Sequence, residues 1–269
     1  AGEHRRVRRM GMAAGGADLA GRMVVMMMAM RGMVVVVVMH PRSDGRDQPG
    51  GDPGAPPLRA EDRALVGPAQ RRWIEERIRD RTQRWCVLAT QVTMHPMRLP
   101  VADGVEVLDG APSGYGVVDG DVVCVAEWDG YPAERARVAR WLADRGGDAL
   151  VLSGDVHSSW VFEGDHSPGI RSVAPEFVVP AVSSTPMARQ LPRGWQGLAD
   201  HLVDSGMPGP RWFDLASWGY VVLTITSGAV TGSWYRVDAS RPHGDQELMA
   251  TWAVTSGEPG ELRSYTAPD

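Results

Sequence analysis

The chain has 269 residues, a formal net charge of −5 and 43% hydrophobic residues. That fits one large globular domain or two small ones, and it excludes the basic composition of a nucleic-acid-binding protein. Cys86 and Cys124 lie far apart and in no C-x-x-C, which excludes a disulfide framework and a cysteine zinc site. The chain has no lysine, and we read its all-arginine cationic set as a compositional bias of the source.

The first 39 residues hold nine of the 14 methionines. A basic stretch leads into apolar runs there, but Arg22 and Arg31 interrupt them. Neither run reaches the roughly 18 apolar residues a membrane span needs. No clean small-x-small cleavage site follows, as a signal peptide would require. Residues 1–32 are therefore set apart as an atypical N-terminal segment, a fragment or shifted reading frame rather than an anchor, and are expected to pack poorly. Residues 33–269 form the domain proper.

Val34 to Val38 reads as a buried strand, and Pro41 to Pro57, rich in Pro, Gly, Asp and Arg, as a long surface loop. A helix is predicted from Pro68, with Trp73, Ile74 and Ile78 on one face. Trp85 to Val92 is a second buried strand, and a hairpin is predicted around Val117 to Val125. Pro132 starts another helix, with Val138, Trp141 and Leu142 as its apolar stripe and Gly146-Gly147 at its end. Glu176 to Thr185 reads as a strand, Arg189 to Pro210 holds a helix, and Tyr220 to Val237 is a hairpin turning near Ser227-Gly228. Trp218 and Trp234 are assigned to the core, His95 to a loop, and Arg135 and Arg137 to a solvated helix face. Strand, helix, strand and a terminal hairpin make a layered α/β protein.

One stretch carries chemistry. In "ALVLSGDVHSSWVFE" an apolar strand ends in Gly154-Asp155-Val156-His157. Side chains along a strand alternate, so Asp155 and His157 are expected to point the same way, a hard oxygen donor beside an imidazole. The plainer alternative is a strand end whose Asp and His bond to nearby turns. A serine nucleophile at Ser158 or Ser159 is a third reading, weakened by the absence of any G-x-S-x-G.

"GPAQRRWIEERI", "RWCVLATQV", "EWDGYPAERARVARWL", "ALVLSGDVHSSW", "EFVVPAVSST" and "WGYVVLTITSGAVTGSWYRVD" occur in the order seen in the alkaline phosphatase D family of calcineurin-like metallophosphoesterases. The chain resembles that family from about Val34 to Val254, and D-G-Y-P-A-E-R followed across a helix by G-D-V-H-S-S is the specific combination. "VVVVVMHPRSDGRDQP" resembles the family's strand and D-T-R-x-x-R-x-x-Q-P loop, with His40 and Pro41 where Asp and Thr are expected and Arg42 retained. Ala89-Thr90-Gln91 stands where the family reads G-N-Q.

The resemblance implies an αββα sandwich, here its C-terminal portion, with two metals, usually iron and calcium, at the strand ends. It implies hydrolysis of a small-molecule phosphate ester. Asp155 and His157 match the family's metal-binding G-D-x-H, and Asp129, Tyr131 and Gln91 are candidates to line the pocket. The family's other ligands, on a cysteine, an aspartate–tyrosine motif and an asparagine-bearing segment, lie upstream of the matched region and have no counterpart here. Two function classes follow. One is a metal-dependent phosphoesterase of which this chain holds two ligands, with little activity expected of the chain alone. The alternative is a non-catalytic remnant of the same fold. Metal stoichiometry separates them.

Overall fold

The structure, a computed structural model, describes residues 25–29, 34–38, 63–100, 115–118, 121–124, 126–145, 148–164, 174–190, 209–241, 244–258 and 261–265. In chain order the elements are β1 (Val25–Ala29), β2 (Val34–Val38), α1 (Pro68–Arg79), β3 (Trp85–Ala89), β4 (Arg98–Pro100), β5 (Tyr115–Val118) and β6 (Asp121–Cys124). A 3-10 turn at Trp128–Gly130 leads into α2 (Pro132–Arg145), β7 (Ala149–Ser153), β8 (Ser159–Phe162), β9 (Glu176–Val178) and the short α3 (Met187–Gln190). The chain closes with β10 (Pro210–Asp214), β11 (Gly219–Ile225), β12 (Ala229–Val237), β13 (Gln246–Thr255) and β14 (Leu262–Tyr265).

Two larger sheets pack face to face. One is mixed, in the order β10-β8-β9-β7-β3-β2, with β2, β3, β7 and β9 parallel; the other runs β1-β11-β12-β13-β14. β4, β6 and β5 make a small third sheet that contains the expected hairpin. Alternation along β3 and β7 builds the layers. Trp85, Val87, Leu150 and Leu152, with Phe177 of β9, face the second sheet, where they join Leu223 and Trp234. Cys86, Leu88, Ala149 and Val151 face the helices and pack with Ile74, Ile78, Val138 and Leu142. Both strands are buried on both faces, which is why each reads as an unbroken apolar run. Gly232 sits where an added Cβ would lie 2.9 Å from the Phe177 and Trp234 rings, so the two sheets close only over a glycine here.

The predicted helices form, each beginning at its proline. Trp73 is a correction: it is 43% exposed, because it lies one residue, about 100° around the helix, from the buried Ile74. Val138, Trp141 and Leu142 are all buried. Glu134, in the first turn of α2, is fully buried; it accepts from the Leu65 and Val66 amides and from Arg71 Nε at 2.7 Å, which fastens α1 and its lead-in segment to α2. The strand expected over Glu176 to Thr185 is only three residues long, and Pro180, which has no N–H to pair, follows soon after it. β3 stops at Ala89, short of Val92.

Of the helix expected in Arg189 to Pro210, residues 187–190 are helical and Pro210 opens β10; residues 191–208 lie outside the described residues. So do the Pro41–Pro57 loop, the His40-Pro41-Arg42 motif and Gly146-Gly147. Within the segment set apart as residues 1–32, Val25–Ala29 pairs parallel with β11, and the remainder lies outside the described residues. β1, β4, β8, β10, β13 and β14 were not anticipated. Among the described residues no helix is long and apolar enough to cross a membrane.

Both cysteines are free, and burial pushes their thiols up, Cys86 to about 11 and Cys124 to about 12. The thiolate is the reactive form. Native protein in mildly alkaline buffer is therefore expected to resist iodoacetamide at both positions, and denatured protein to take up two labels. Rapid native labelling at either cysteine would contradict the packing described.

Candidate functional site

β2, β3, β7 and β9 run parallel, so their C-terminal ends open on one edge of the sheet, the edge where open α/β sheets place their sites. Three segments meet there, and the Thr90 amide donates to Leu152 O at 2.8 Å and the Val179 amide to Ser153 O at 2.8 Å. β7 ends at Ser153. The chain then turns through Gly154 to Ser158, and Asp155 and His157 adopt φ of 71° and 53°. Among the described residues they are the only non-glycine residues with positive φ.

The expectation that strand alternation aligns the two side chains is thereby corrected. Both residues lie in a left-handed turn beyond the strand, and that turn sets their placement. Each left-handed residue costs ~1–2 kcal/mol, so the surroundings must hold the turn in place. They do so from several sides. Trp160 Nε1 donates to Ser158 Oγ at 2.7 Å, and Ser158 Oγ donates to Val156 O at 3.2 Å. The Met187 amide donates to His157 O at 2.9 Å. His157 Nδ1 lies 2.9 Å from the Thr185 carbonyl oxygen and 2.6 Å from Gln190 Nε2. Asp155 and His157 remain half-buried, whereas Ser158 and Ser159 are fully buried. Ser158 is committed to Trp160 and the turn, which argues against the serine-nucleophile reading.

The other site candidates are placed as follows. Asp129 accepts from the Met97 amide at 2.9 Å and pairs with Arg135. Arg135 is therefore not a solvated residue, since the carboxylate draws its guanidinium down against the protein. Tyr131 is fully buried, with the Arg63 guanidinium 5.1 Å above its ring. Gln91 is exposed. His95 stacks on Phe162 with ring centroids 4.2 Å apart, and Trp234 is buried as expected while Trp218 is half-buried.

Glu176 was missed. It is buried at the head of β9 and accepts from Ser153 Oγ, from the Met94 amide at 2.9 Å and from the His95 amide. Burial pushes its carboxyl up to about 7, and the nearby Asp129 adds to the rise, against the pull of the three donated hydrogen bonds. Its only trace in the sequence is an acid leading the apolar run E-F-V-V. Glu127 accepts from the Thr93 amide, so Glu127, Asp129 and Glu176 together gather the backbone amides of Thr93, Met94, His95 and Met97 beyond the exit of β3. Glu176 also lines a small cavity with Met94, His95, Arg135, Val151 and Glu163.

The donor chemistry at the β7 exit suits a metal, because a carboxylate oxygen and an imidazole nitrogen both bind iron or zinc. The number of donors does not complete a site. Among the described residues no three His, Cys, Asp or Glu side chains gather as a ligand cluster. Asp155 and His157 fit as two members of a larger set.

Alkaline phosphatase D of Bacillus subtilis (strain 168) is 29% identical over 120 residues, which is 44% of this chain and 18% of that protein. A solved structure described as "Structure of PhoD" superposes with a TM-score of 0.62 at 20% identity, covering 88% of this chain and 43% of the other. That similarity shows the fold alone, a layered mixed α/β sandwich like that of the matched structure. The chain spans less than half the length of these relatives. The sequence pattern of PhoD-like phosphatases matches residues 25–234, more than half of the chain. The chain belongs to the PhoD-like phosphatase family.

Proposed function

We propose that the chain serves metal-dependent hydrolysis of small phosphate esters, with Asp155 and His157 as two of the metal ligands. The observation that carries this reading is the strained turn. Two ligand-type residues, two positions apart in one turn beyond the end of β7, are the only left-handed non-glycine residues among those described, at the sheet edge where such sites form. Backbone strain of this kind clusters where function requires it. A bound metal pair, iron and calcium in the resembled family, would polarise the phosphoryl oxygens and acidify a water. The chain's own part is to offer an Asp155 carboxylate oxygen as a donor and to present the His157 ring through Nε2, its Nδ1 edge being occupied by Thr185 and Gln190.

The test is hydrolysis of p-nitrophenyl phosphate and bis(p-nitrophenyl) phosphate by the purified chain, with iron and calcium and again after chelation. With Asp155 and His157 the only ligands assigned, turnover is expected to be slow and to vanish with the chelator. Fast turnover indifferent to chelation would sink the proposal. A chain that neither turns over nor binds metal would be a non-catalytic module of the fold.

A further inference from the structure

The imidazole of His157 is gripped along one edge. Nδ1 meets the Thr185 carbonyl oxygen and the Gln190 amide, and that amide also donates to the Thr185 carbonyl. Among the described residues Nε2 has no hydrogen-bond partner. The two neighbours of Nδ1 make opposite demands. A carbonyl oxygen only accepts, so it calls for a proton on Nδ1; an amide N–H only donates, so it calls for the Nδ1 lone pair. A primary amide can satisfy either state of the ring. It gives its N–H to a bare Nδ1 or, turned half over, its oxygen to an Nδ1–H.

The segment carrying Thr185 and Gln190 is itself braced. The Met187 amide donates to His157 O and the Ala188 amide to Leu215 O, each at 2.9 Å. The Arg189 guanidinium lies 4.6 Å above the Trp218 ring, and Trp218 Nε1 donates to Ser184 O at 2.8 Å. Gln190 is exposed, so its side chain has no packing role that would explain its place on the ring.

We propose that Gln190 is the positioning residue of His157: with the Thr185 carbonyl it holds the Nδ1 edge of the ring and reserves Nε2 for a ligand. The proposal rests on His157 being a metal ligand, and its test separates the two claims. Long-range proton–nitrogen NMR spectra of the His157 ring are compared in the wild-type chain, Gln190→Ala and Gln190→Glu, alongside calorimetric titration with zinc. Gln190→Glu, which only accepts, is expected to collect the proton on Nδ1 and to keep zinc affinity. Gln190→Ala is expected to broaden the ring signals and to weaken zinc binding by about 10-fold or more. A residue that merely stabilised the fold would show neither the tautomer shift nor the rescue by glutamate. Ring spectra unchanged in Gln190→Ala would overturn the proposal, as would zinc binding that depends on His157 but not on Gln190. If the wild type takes up no zinc, the ligand reading falls, and the spectra still decide whether Gln190 positions the ring.

Discussion

Alanine at Asp155 or at His157 is expected to weaken metal binding by the chain by at least ~100-fold, more than loss of an outer-shell partner would. Any metal-dependent turnover should fall with it. With two donors assigned, each substitution leaves one, and a single carboxylate or imidazole does not hold a cation against water. The same positions carry a second signature of opposite sign. Glycine adopts φ of 71° and 53° without the Cβ penalty that alanine meets there. Asp155→Gly and His157→Gly should therefore each be more stable than the corresponding alanine variant by about 1 kcal/mol, while binding metal no better. Urea unfolding of the four variants measures the stability difference and calorimetry measures the binding. If alanine and glycine are equally stable, the turn is not strained and the main support for the site is gone. If both alanine variants bind metal like the wild type, Asp155 and His157 are not ligands.

The layers were legible in the sequence because burial on both faces leaves an unbroken apolar run. Trp85–Ala89 and Ala149–Ser153 read as central strands for that reason, and helices announced by Pro68 and Pro132 were found where expected. β8 was hidden because Ser159–Phe162 is only four residues long and follows directly on the turn. The identity of Asp155 and His157 was legible from the G-D-x-H motif, but their geometry was not. Period-two reasoning applies only while the chain stays extended, and the strand ends at Ser153. Asp129 was legible as a candidate to line the pocket, yet its partners are a backbone amide 32 residues away and an arginine six residues on. Glu176 was illegible for the same reason on a larger scale: its amide partners at Met94 and His95 lie more than 80 residues upstream. Carboxylates that serve backbone amides leave no residue-type signature at the other end, because every residue but proline has an N–H.

Glu176 gives the second large expected effect, a loss of stability as pH rises through the weakly acidic range. Its carboxyl stands at about 7 in the folded protein against an ordinary 4.5. Between those values the folded state keeps a proton that the unfolded chain has released, so folding binds protons and stability falls with rising pH. The decline starts near 4.5, is complete a little above 7, and amounts to on the order of 3 kcal/mol. The group is fully buried, so solvent screening does not diminish it. Other charges share the neighbourhood: Asp129 on the turn before α2, Arg135 on α2, Glu163 beyond β8 and His95 on the loop after β3. The isolating measurement is therefore the difference between wild type and Glu176→Gln in urea midpoints across that range. The variant cannot ionise at this position, so its curve should lack the decline that Glu176 contributes. Absolute stability is the poorer observable, because the amide offers one acceptor oxygen where the carboxylate offers two, and one of the three donors from Ser153, Met94 and His95 loses its partner. Parallel curves for the two proteins would mean that Glu176 ionises like an exposed acid, and that the three hydrogen bonds outweigh its burial.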